Sequence, residues 1–169
     1  KNLFHALNTA LASDGVFIYV PDNVVIDKPI QMISIINHDK NLMLHTRNLI
    51  VMGKNSKLTL VQCDDSTNQQ ARFNNSISEV YLDQNSHLEH YKLQNLNDAS
   101  TLLNSTYFYQ EKGSNLTTNS ISLNGGIIRN YSHVKLDGEY ADANVYGVYL
   151  MDKKQHIDNQ VFIDHAKPN

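Results

Sequence analysis

The pattern of apolar and polar positions changes once along the chain, close to residue 15. Before that point, apolar residues recur at helical spacing, at Leu3, Phe4, Leu7, Ala10 and Leu11. Ser13-Asp14-Gly15 follows, with the glycine at the place where a helix cap requires a positive backbone angle. The pattern therefore predicts a short helix within residues 1–15 that leads into a different kind of structure.

Residues 16–169 have the pattern of strands separated by turns. β-branched and aromatic residues fill segments such as Val16-Phe17-Ile18-Tyr19-Val20 and Ile30 to Ile36, and Pro21 and Pro29 lie between such segments. We therefore expect an all-β core over residues 16–169.

One turn-to-strand step repeats along this core. It occurs at Asn55-Ser56-Lys57-Leu58, at Asn85-Ser86-His87-Leu88 and at Gly113-Ser114-Asn115-Leu116, with a weaker copy at Asn144-Val145. The three leucines and Val145 are 30, 28 and 29 residues apart. A repeat of this length, made of short strands without helices, predicts a β-solenoid whose coils stack along one axis. An antiparallel sandwich is the alternative, but only Asn124-Gly125-Gly126 resembles the hairpin turns that it needs.

Composition excludes several classes of protein. A chain of 169 residues buries enough surface to fold as one domain without disulfides. The formal charge of −3 argues against a nucleic-acid binder, and there is no apolar run of the roughly 18 residues that span a membrane. The single cysteine excludes an intramolecular disulfide and suits a reducing compartment.

Sequence motifs for catalysis are missing. Gly53-Lys54-Asn55-Ser56 resembles the end of a phosphate-binding loop, but the earlier glycine of that motif is absent. The sequence also contains no dinucleotide fingerprint, no His-Glu-x-x-His and no serine nucleophile elbow. We therefore expect a protein that is not an enzyme, with no catalytic residues.

The histidines do not form a metal-binding pattern. His87 and His90 are three residues apart, a spacing that places strand side chains on opposite faces. The other isolated histidines are expected to be surface or hydrogen-bonded residues: His5, His38, His45 and His133. A cupin-like metal barrel would require closely paired ligands, which the sequence does not contain.

The last strand-like segment, Gln155 to His165, carries the best candidates for a polar site or an interface. A period of two places Ile157, Val161, Ile163 and His165 on one face, so we expect His165 to continue the inner apolar face as a hydrogen-bonded core residue. The opposite face carries the remaining candidates, His156, Asp158 and Asp164, together with Gln160. This polar strip is expected to be solvated or to contact another subunit, with metal binding as the less favoured alternative.

Three further residues are candidates for a reactive or binding role. Cys63 is expected to be structural, because Asp64 and Asp65 follow it and nearby carboxylates disfavour a thiolate. Arg47 and Arg129 adjoin apolar strands, and each is expected to bind a turn carbonyl or a carboxylate.

A series of short motifs runs along the whole chain. It opens with the segment from Asp14 to Pro21, followed by Pro29-Ile30-Gln31. The remaining motifs are His45-x-Arg47-Asn48-Leu49-Ile50-Val51, Tyr91-Lys92-Leu93-Gln94-Asn95, Asn124-Gly125-Gly126 with Arg129-Asn130, Leu136-x-Gly138-Glu139-x-Ala141, Gln155-His156-x-Asp158-Asn159 and Asp164-His165-x-x-Pro168. In content and order these motifs resemble the SufD family of iron-sulfur cluster assembly scaffold subunits. The sister subunit SufB shares several of these motifs, but the motif from His45 to Val51 and the lone cysteine favour SufD.

The resemblance implies a right-handed parallel β-helix and a role in the cytoplasm. Members of the family act in a complex of SufB, SufD and the ATPase SufC, which receives sulfur and builds clusters for apo-proteins. In full-length relatives the core continues into further coils and a helical segment that docks SufC. We expect both to be missing here, so that the core is truncated at its C-terminal end. The family's cluster-associated histidine lies in a later Cys-x-His-Gly element, which this chain does not contain.

These expectations together describe a fragment of a non-catalytic scaffold subunit that pairs with SufB. It is expected to hold no iron-sulfur cluster or metal by itself, and its exposed end near Gln155 to His165 is expected to favour self-association. The alternative is a β-helix enzyme acting on polysaccharide, which would need carboxylates clustered along one sheet.

Overall fold

A computed structural model describes residues 3–168 of the chain. The described residues form a short helix followed by strands that are connected by brief turns. In chain order the elements are α1 (Leu3–Leu11), β1 (Phe17–Val20), β2 (Ile30–Ile36), β3 (Leu42–Met52), β4 (Lys57–Ser66), β5 (Arg72–Leu82), β6 (His87–Asn95), β7 (Ser100–Gln110), β8 (Asn115–Asn124), β9 (Ile127–Leu136), β10 (Asp142–Tyr149) and β11 (His156–His165).

Successive strands alternate between two parallel sheets. One sheet has the order β1-β3-β5-β7-β9-β11 and the other β10-β8-β6-β4-β2, and every strand pairs in parallel with the strand one coil away. This is a β-solenoid of about five turns, so the predicted parallel β-helix is confirmed and the antiparallel sandwich is wrong. No described helix is long and apolar enough to cross a membrane.

The repeated sequence step forms one corner of the solenoid. Asn55, Asn85 and Gly113 have φ angles of 54°, 55° and 66°, the left-handed conformation that asparagine and glycine tolerate best. The Asn85 side-chain amide donates to Oδ1 of Asn55, one coil away, at 3.2 Å. The serine that follows in each copy donates its hydroxyl to a turn carbonyl, as Ser86 does to the carbonyl of Asp83 at 2.7 Å. These three copies of the corner therefore repeat because each uses the same backbone angle and the same serine hydroxyl.

The fourth copy of the repeat does not lie where the sequence places it. Ala143, and not Val145, pairs with Leu116, while Val145 pairs with Thr118. The two positions face the same side of the strand, since they are two residues apart. The error arises because Tyr140, with φ of 59°, takes the left-handed corner position that Asn or Gly takes in the other copies.

Two apolar clusters fill the inside of the solenoid. The larger lies below the repeated corner and includes Leu58, Leu88, Leu116, Phe108 and Val134. The smaller contains Leu96, Leu102 and Ile128. Interior positions between the two clusters are polar.

Helix α1 lies on the outer face of the sheet that contains β3 and β5. Its only fully buried residue is polar: Asn8 is 0% exposed and donates to the carbonyls of Thr46 and Asn75 at 2.9 and 2.8 Å. Of the leucines that predicted the helix, Leu3 and Leu11 are 77% and 47% exposed, whereas Leu7 is half-buried. Buried hydrogen bonds from Asn8 therefore hold the helix on the sheet together with part of the apolar stripe.

Gly15 does not cap the helix. The helix ends at Leu11, and Gly15 is not among the residues with a positive φ. Glycine is required there because a Cβ would lie 1.8 Å from the carbonyl oxygen of Arg47. The glycine allows the chain entering β1 to pass close to β3.

Candidate functional site

The polar strip predicted on β11 exists, but its members do not converge. Asp158 forms an ion pair with Arg129 on the neighbouring strand, Nε to Oδ2 at 3.2 Å, and accepts a hydrogen bond from Gln160. His156 and Asp164 lie at opposite ends of the strand, eight residues and therefore about 26 Å apart. Among residues 3–168, no group of three or more His, Cys, Asp or Glu is placed to hold a metal ion.

His165 follows the predicted register but not the predicted environment. It pairs with Leu136, a buried residue, and so lies on the inner side of the strand. Its side chain is nevertheless exposed, because β11 is the last strand of its sheet and no further coil of the described chain covers it. The expectation of a hydrogen-bonded core histidine is therefore wrong for this chain.

The structure also shows the partners of Arg47 and Arg129 and the position of Cys63. Arg47 binds the carboxylate of Glu79 at 2.9 Å, and Arg129 binds Asp158, so both bind carboxylates as expected. Cys63 is a free, half-buried thiol on the outer face of β4, and the strand continues past it to Ser66. Asp64 is buried on the inner face, so of the two carboxylates that follow Cys63 in sequence it does not share the face of the thiol.

The sequence analysis missed a band of polar side chains inside the solenoid. We call this set the polar band. Its members are buried, they face inward from the middle of their strands, and they separate the two apolar clusters: Asn48, Gln62, Asp64, Ser76, Ser78, His90, Lys92, Gln94, Asn104, Thr106, Thr118, Ser122 and Asn130.

A buried ion pair lies within the polar band. Lys92 Nζ is 2.7 Å from Asp64 Oδ2, and the two side chains are 3% and 5% exposed. The pair is in contact but is not aligned as a hydrogen bond, so its attraction is mainly coulombic. A cavity of about 100 Å³ opens onto Asp64 from the end of the solenoid formed by β1 and β2, where Gln62 and Asn48 also line it.

His90 is the neutral centre of the polar band. Its Nε2 lies 3.3 Å from Oε1 of Gln62 and its Nδ1 lies 2.9 Å from Oγ1 of Thr118. Because an amide oxygen only accepts, Nε2 carries the proton and Nδ1 accepts from the threonine hydroxyl. Burial, and then the charge of Lys92, lowers the pKa of His90 from 6.5 to about 3. The imidazole therefore stays neutral at every physiological pH.

An amide pair connects the two sheets across the polar band. Gln94 donates to Oδ1 of Asn130 at 2.7 Å, and Asn130 donates back to Oε1 of Gln94 at 3.0 Å. Ser122 donates to the same Gln94 oxygen at 2.6 Å. These bonds hold the sheets at a fixed separation where apolar packing is absent, which suits a positioning role better than a catalytic one.

A signal for the polar band was present in the sequence. In β6, Leu88, His90, Lys92 and Gln94 share one face, and Leu88 marks that face as the inner one. The spacing of His87 and His90 tests only whether the two can share a metal, and it does not show which of them faces inward. They do lie on opposite faces, as predicted, with His87 beside Glu89 on the outside.

Two protein families match the chain. The family described as SUF system FeS cluster assembly, SufBD core domain, matches residues 34–169, and the SufBD protein N-terminal region matches residues 1–32. These two matches agree with the resemblance found along the motifs.

Several bacterial proteins are similar to almost the whole chain. Iron-sulfur cluster assembly SufBD family proteins of Staphylococcus epidermidis, Staphylococcus haemolyticus and Staphylococcus aureus are each 28% identical over 170 residues, which cover 99% of this chain and 36% of each relative. The chain thus spans about a third of the length of these relatives. Since the core-domain match covers most of the parallel solenoid, the chain belongs to the SufBD family of SUF-system iron-sulfur cluster assembly proteins.

Proposed function

We propose that the chain is part of a SufD-type, non-catalytic scaffold subunit of the cytoplasmic SUF system, which pairs with SufB and acts together with SufC. The observation that carries the proposal is the match of the SufBD core domain to residues 34–169, which contain most of the parallel solenoid. The lone cysteine and the motif from His45 to Val51 favour SufD over SufB.

A scaffold role suits the chemistry of the described residues. The charged groups of the polar band are paired with one another, the central imidazole is neutral, and the one thiol lies on the outer face of a strand. Carboxylates on β11 are spread along the strand instead of clustered, which gives no support to a polysaccharide-cleaving enzyme. The buried polar groups therefore stabilise the solenoid and leave no paired acid and base available for catalysis among the residues of the polar band.

The proposed pairing with SufB is not assigned to one edge of the solenoid. Strands β10 and β11 are the outer strands of their sheets within residues 3–168, and they expose Tyr146, Val148, Val161 and Phe162. Parallel edge strands with exposed apolar residues bind another strand readily, and the further coils implied by the family resemblance supply such strands. Contact with SufC is proposed to involve parts of full-length family members outside the region matched here.

Anaerobic co-expression with SufB and SufC tests the proposal. We expect SufB to co-purify with the tagged chain and not with an unrelated tagged protein of similar size. The chain alone, reconstituted with iron and sulfide, is expected to keep no visible chromophore.

Two results would count against this function. If SufB does not co-purify with the unchanged chain, the proposed pairing with SufB is wrong. A stable chromophore on the isolated chain that disappears in Cys63→Ser would make Cys63 a ligand and the chain a cluster carrier in its own right.

A further inference from the structure

The corner between β8 and β9 contains the one Asn-Gly dipeptide of the sequence. Asn124 is the last residue of β8 and is exposed, and only Gly125 and Gly126 lie between it and β9. The side-chain amide carbon of an asparagine is open to attack by the backbone nitrogen of the next residue. Glycine permits this attack best, because it has no side chain and few restrictions on its backbone angles.

The fold requires both glycines. Gly125 has a φ of 149°, which residues with a side chain rarely adopt, and a Cβ there would lie 2.6 Å from Cδ1 of Ile128. A Cβ on Gly126 would overlap the carbonyl oxygen of Asp98. A larger residue is therefore strained directly after Asn124, and the structure itself maintains the unhindered neighbour.

The backbone amide that would attack is unpaired at this corner but engaged at the repeated corners. After the exposed residues Asn55 and Asn85, the amide of the following serine donates to a turn carbonyl, at 3.3 and 3.1 Å. The amide of Gly125 donates to no other residue in the described part of the chain. Since Gly125 is also buried, its attack on the Asn124 side chain breaks no hydrogen bond of that amide.

The Asn124 side chain ends a row of hydrogen bonds whose direction is fixed. Asn124 Nδ2 donates to Oδ1 of Asn95 at 2.9 Å, and Asn95 Nδ2 donates to Oδ1 of Asp65 at 3.3 Å. A carboxylate only accepts, so Asp65 makes Asn95 turn its NH₂ group toward β4 and its oxygen toward β8. The side chain at position 124 must therefore donate, which an amide can do and a carboxylate cannot.

We propose that Asn124 is a site of spontaneous deamidation in the folded protein and that the carboxylate formed there breaks this row. With a carboxylate at each end, the Asn95 amide can donate toward only one of them. Whichever way that amide is turned, its oxygen faces a carboxylate oxygen, so one contact of the row becomes repulsive.

The reaction needs water as its only co-reactant. The Gly125 nitrogen forms a bond to Cγ of Asn124 and the bond from Cγ to Nδ2 breaks, so that ammonia leaves with the proton of the Gly125 amide. Water then opens the resulting succinimide ring. Cleavage of its bond from Cγ to nitrogen gives aspartate, and cleavage of its bond from the backbone carbonyl carbon to nitrogen gives isoaspartate.

Mass spectrometry of aged protein tests the modification. The folded 169-residue chain would be incubated at mildly alkaline pH and digested, with a sample in urea treated in parallel. We expect the folded sample to gain about 1 Da at Asn124, divided between two isomers, at least about ten-fold faster than at Asn55 or Asn85. Asn124→Gln is the control, because its longer side chain would have to close a larger ring, and it should gain no mass at this position.

Thermal unfolding followed by circular dichroism tests the effect on the row. Asn124→Asp should lower the melting temperature by about 2–4 °C, and Asn41→Asp, an equal charge change at an exposed residue before β3, should leave it unchanged. Asp65→Asn supplies an amide that can turn, so in this background Asn124→Asp should cost at most about half as much. The difference should persist in high salt, which screens repulsion between carboxylates two strands apart.

Three results would overturn the proposal. The first is a mass gain at Asn124 in urea but none in the folded chain, which would show that the corner protects the residue. The second is an equal rate at Asn55 and Asn85 in the folded chain. The third is an equal effect of Asn124→Asp with and without Asp65→Asn, or a difference that high salt removes. None of these outcomes depends on the co-purification of SufB.

Discussion

The Lys92–Asp64 ion pair allows the sharpest test of how the interior is held together. Both side chains are nearly inaccessible, at 3% and 5% exposed, and their charged atoms are 2.7 Å apart. Replacing Lys92 with Met keeps the length of the side chain but leaves the Asp64 carboxylate buried without its counter-charge. We expect Lys92→Met to be strongly destabilising.

The size of the effect follows from two opposing contributions. At 2.7 Å two unit charges attract by about 6 kcal/mol with an effective dielectric constant of ~20. Removing each ion from water costs several kcal/mol, so the intact pair contributes little net free energy. A single replacement loses the attraction but keeps one desolvation cost, and should lower the free energy of unfolding by about 3–5 kcal/mol. The corresponding fall in melting temperature is roughly 10 °C for a domain of this size.

Urea denaturation followed by circular dichroism, on four variants, completes the test. The variants are the unchanged chain, Lys92→Met, Asp64→Leu and the double change. Because the double variant removes both charges, we expect it to recover most of the stability lost by either single variant. A double variant whose loss equals the sum of the two single losses would show that the charges do not interact and would refute the reasoning.

The remaining predictions concern pH, the corner and the open end. The pKa of His90 is lowered, so the unfolded chain binds a proton below pH 6.5 that the folded chain does not bind until about pH 3. The free energy of unfolding should therefore fall by roughly 2 kcal/mol from pH 7 to pH 5 because of His90. This pH-dependent fall should disappear in His90→Gln and persist in His38→Gln, a control at an exposed histidine. Asn85→Ala should lower the free energy of unfolding by about 1–2 kcal/mol in urea, and Asn85→Gly by less, because glycine accepts the 55° φ angle. Self-association through β11 should appear in light scattering as mass rising with concentration, and Phe162→Lys should reduce it; a monomer at every concentration would contradict this.

The repeated corner could be predicted from sequence because its requirements are local. A left-handed residue, a serine and an inward leucine must follow one another in each coil, so three similar tetrapeptides determine the period and the solenoid. The same dependence on local chemistry explains the failure at the fourth coil. Tyr140 takes the left-handed position there without any sequence signal. The sequence pattern therefore aligns Val145 with the repeated leucine, whereas the residue that pairs with Leu116 is Ala143.

The alternation in β6 indicates which of its residues face inward, but the partners within the polar band and the placement of α1 could not be predicted from local patterns. Lys92 is buried because Asp64, 28 residues earlier, lies beside it in the next coil, and only the register of β4 and β6 brings them together. Asn8 is buried for a similar reason, since its amide reaches the backbone at residue 75. Apolar periodicity identifies the faces of elements, but in both cases long-range polar contacts decide which side is covered.

The two kinds of corner differ in how much variation in chain length they accept. From β3 onward, corners that carry the left-handed position hold four residues at 53–56, 83–86 and 111–114, and five at 137–141; the earlier corner at 21–29, which carries Asn23, holds nine. The opposite corners hold five, five, four, two and six residues, at 37–41, 67–71, 96–99, 125–126 and 150–155. Side-chain amides stack along both sets of corners, Asn85 on Asn55 in the first set and Asn124 on Asn95 in the second. Only the first set repeats one left-handed backbone position from coil to coil, and this shared position keeps its length nearly constant from β3 onward. Tags, fluorophore sites or short inserted peptides should therefore be placed at the second set of corners, where an added residue changes one loop and leaves the register of both sheets intact.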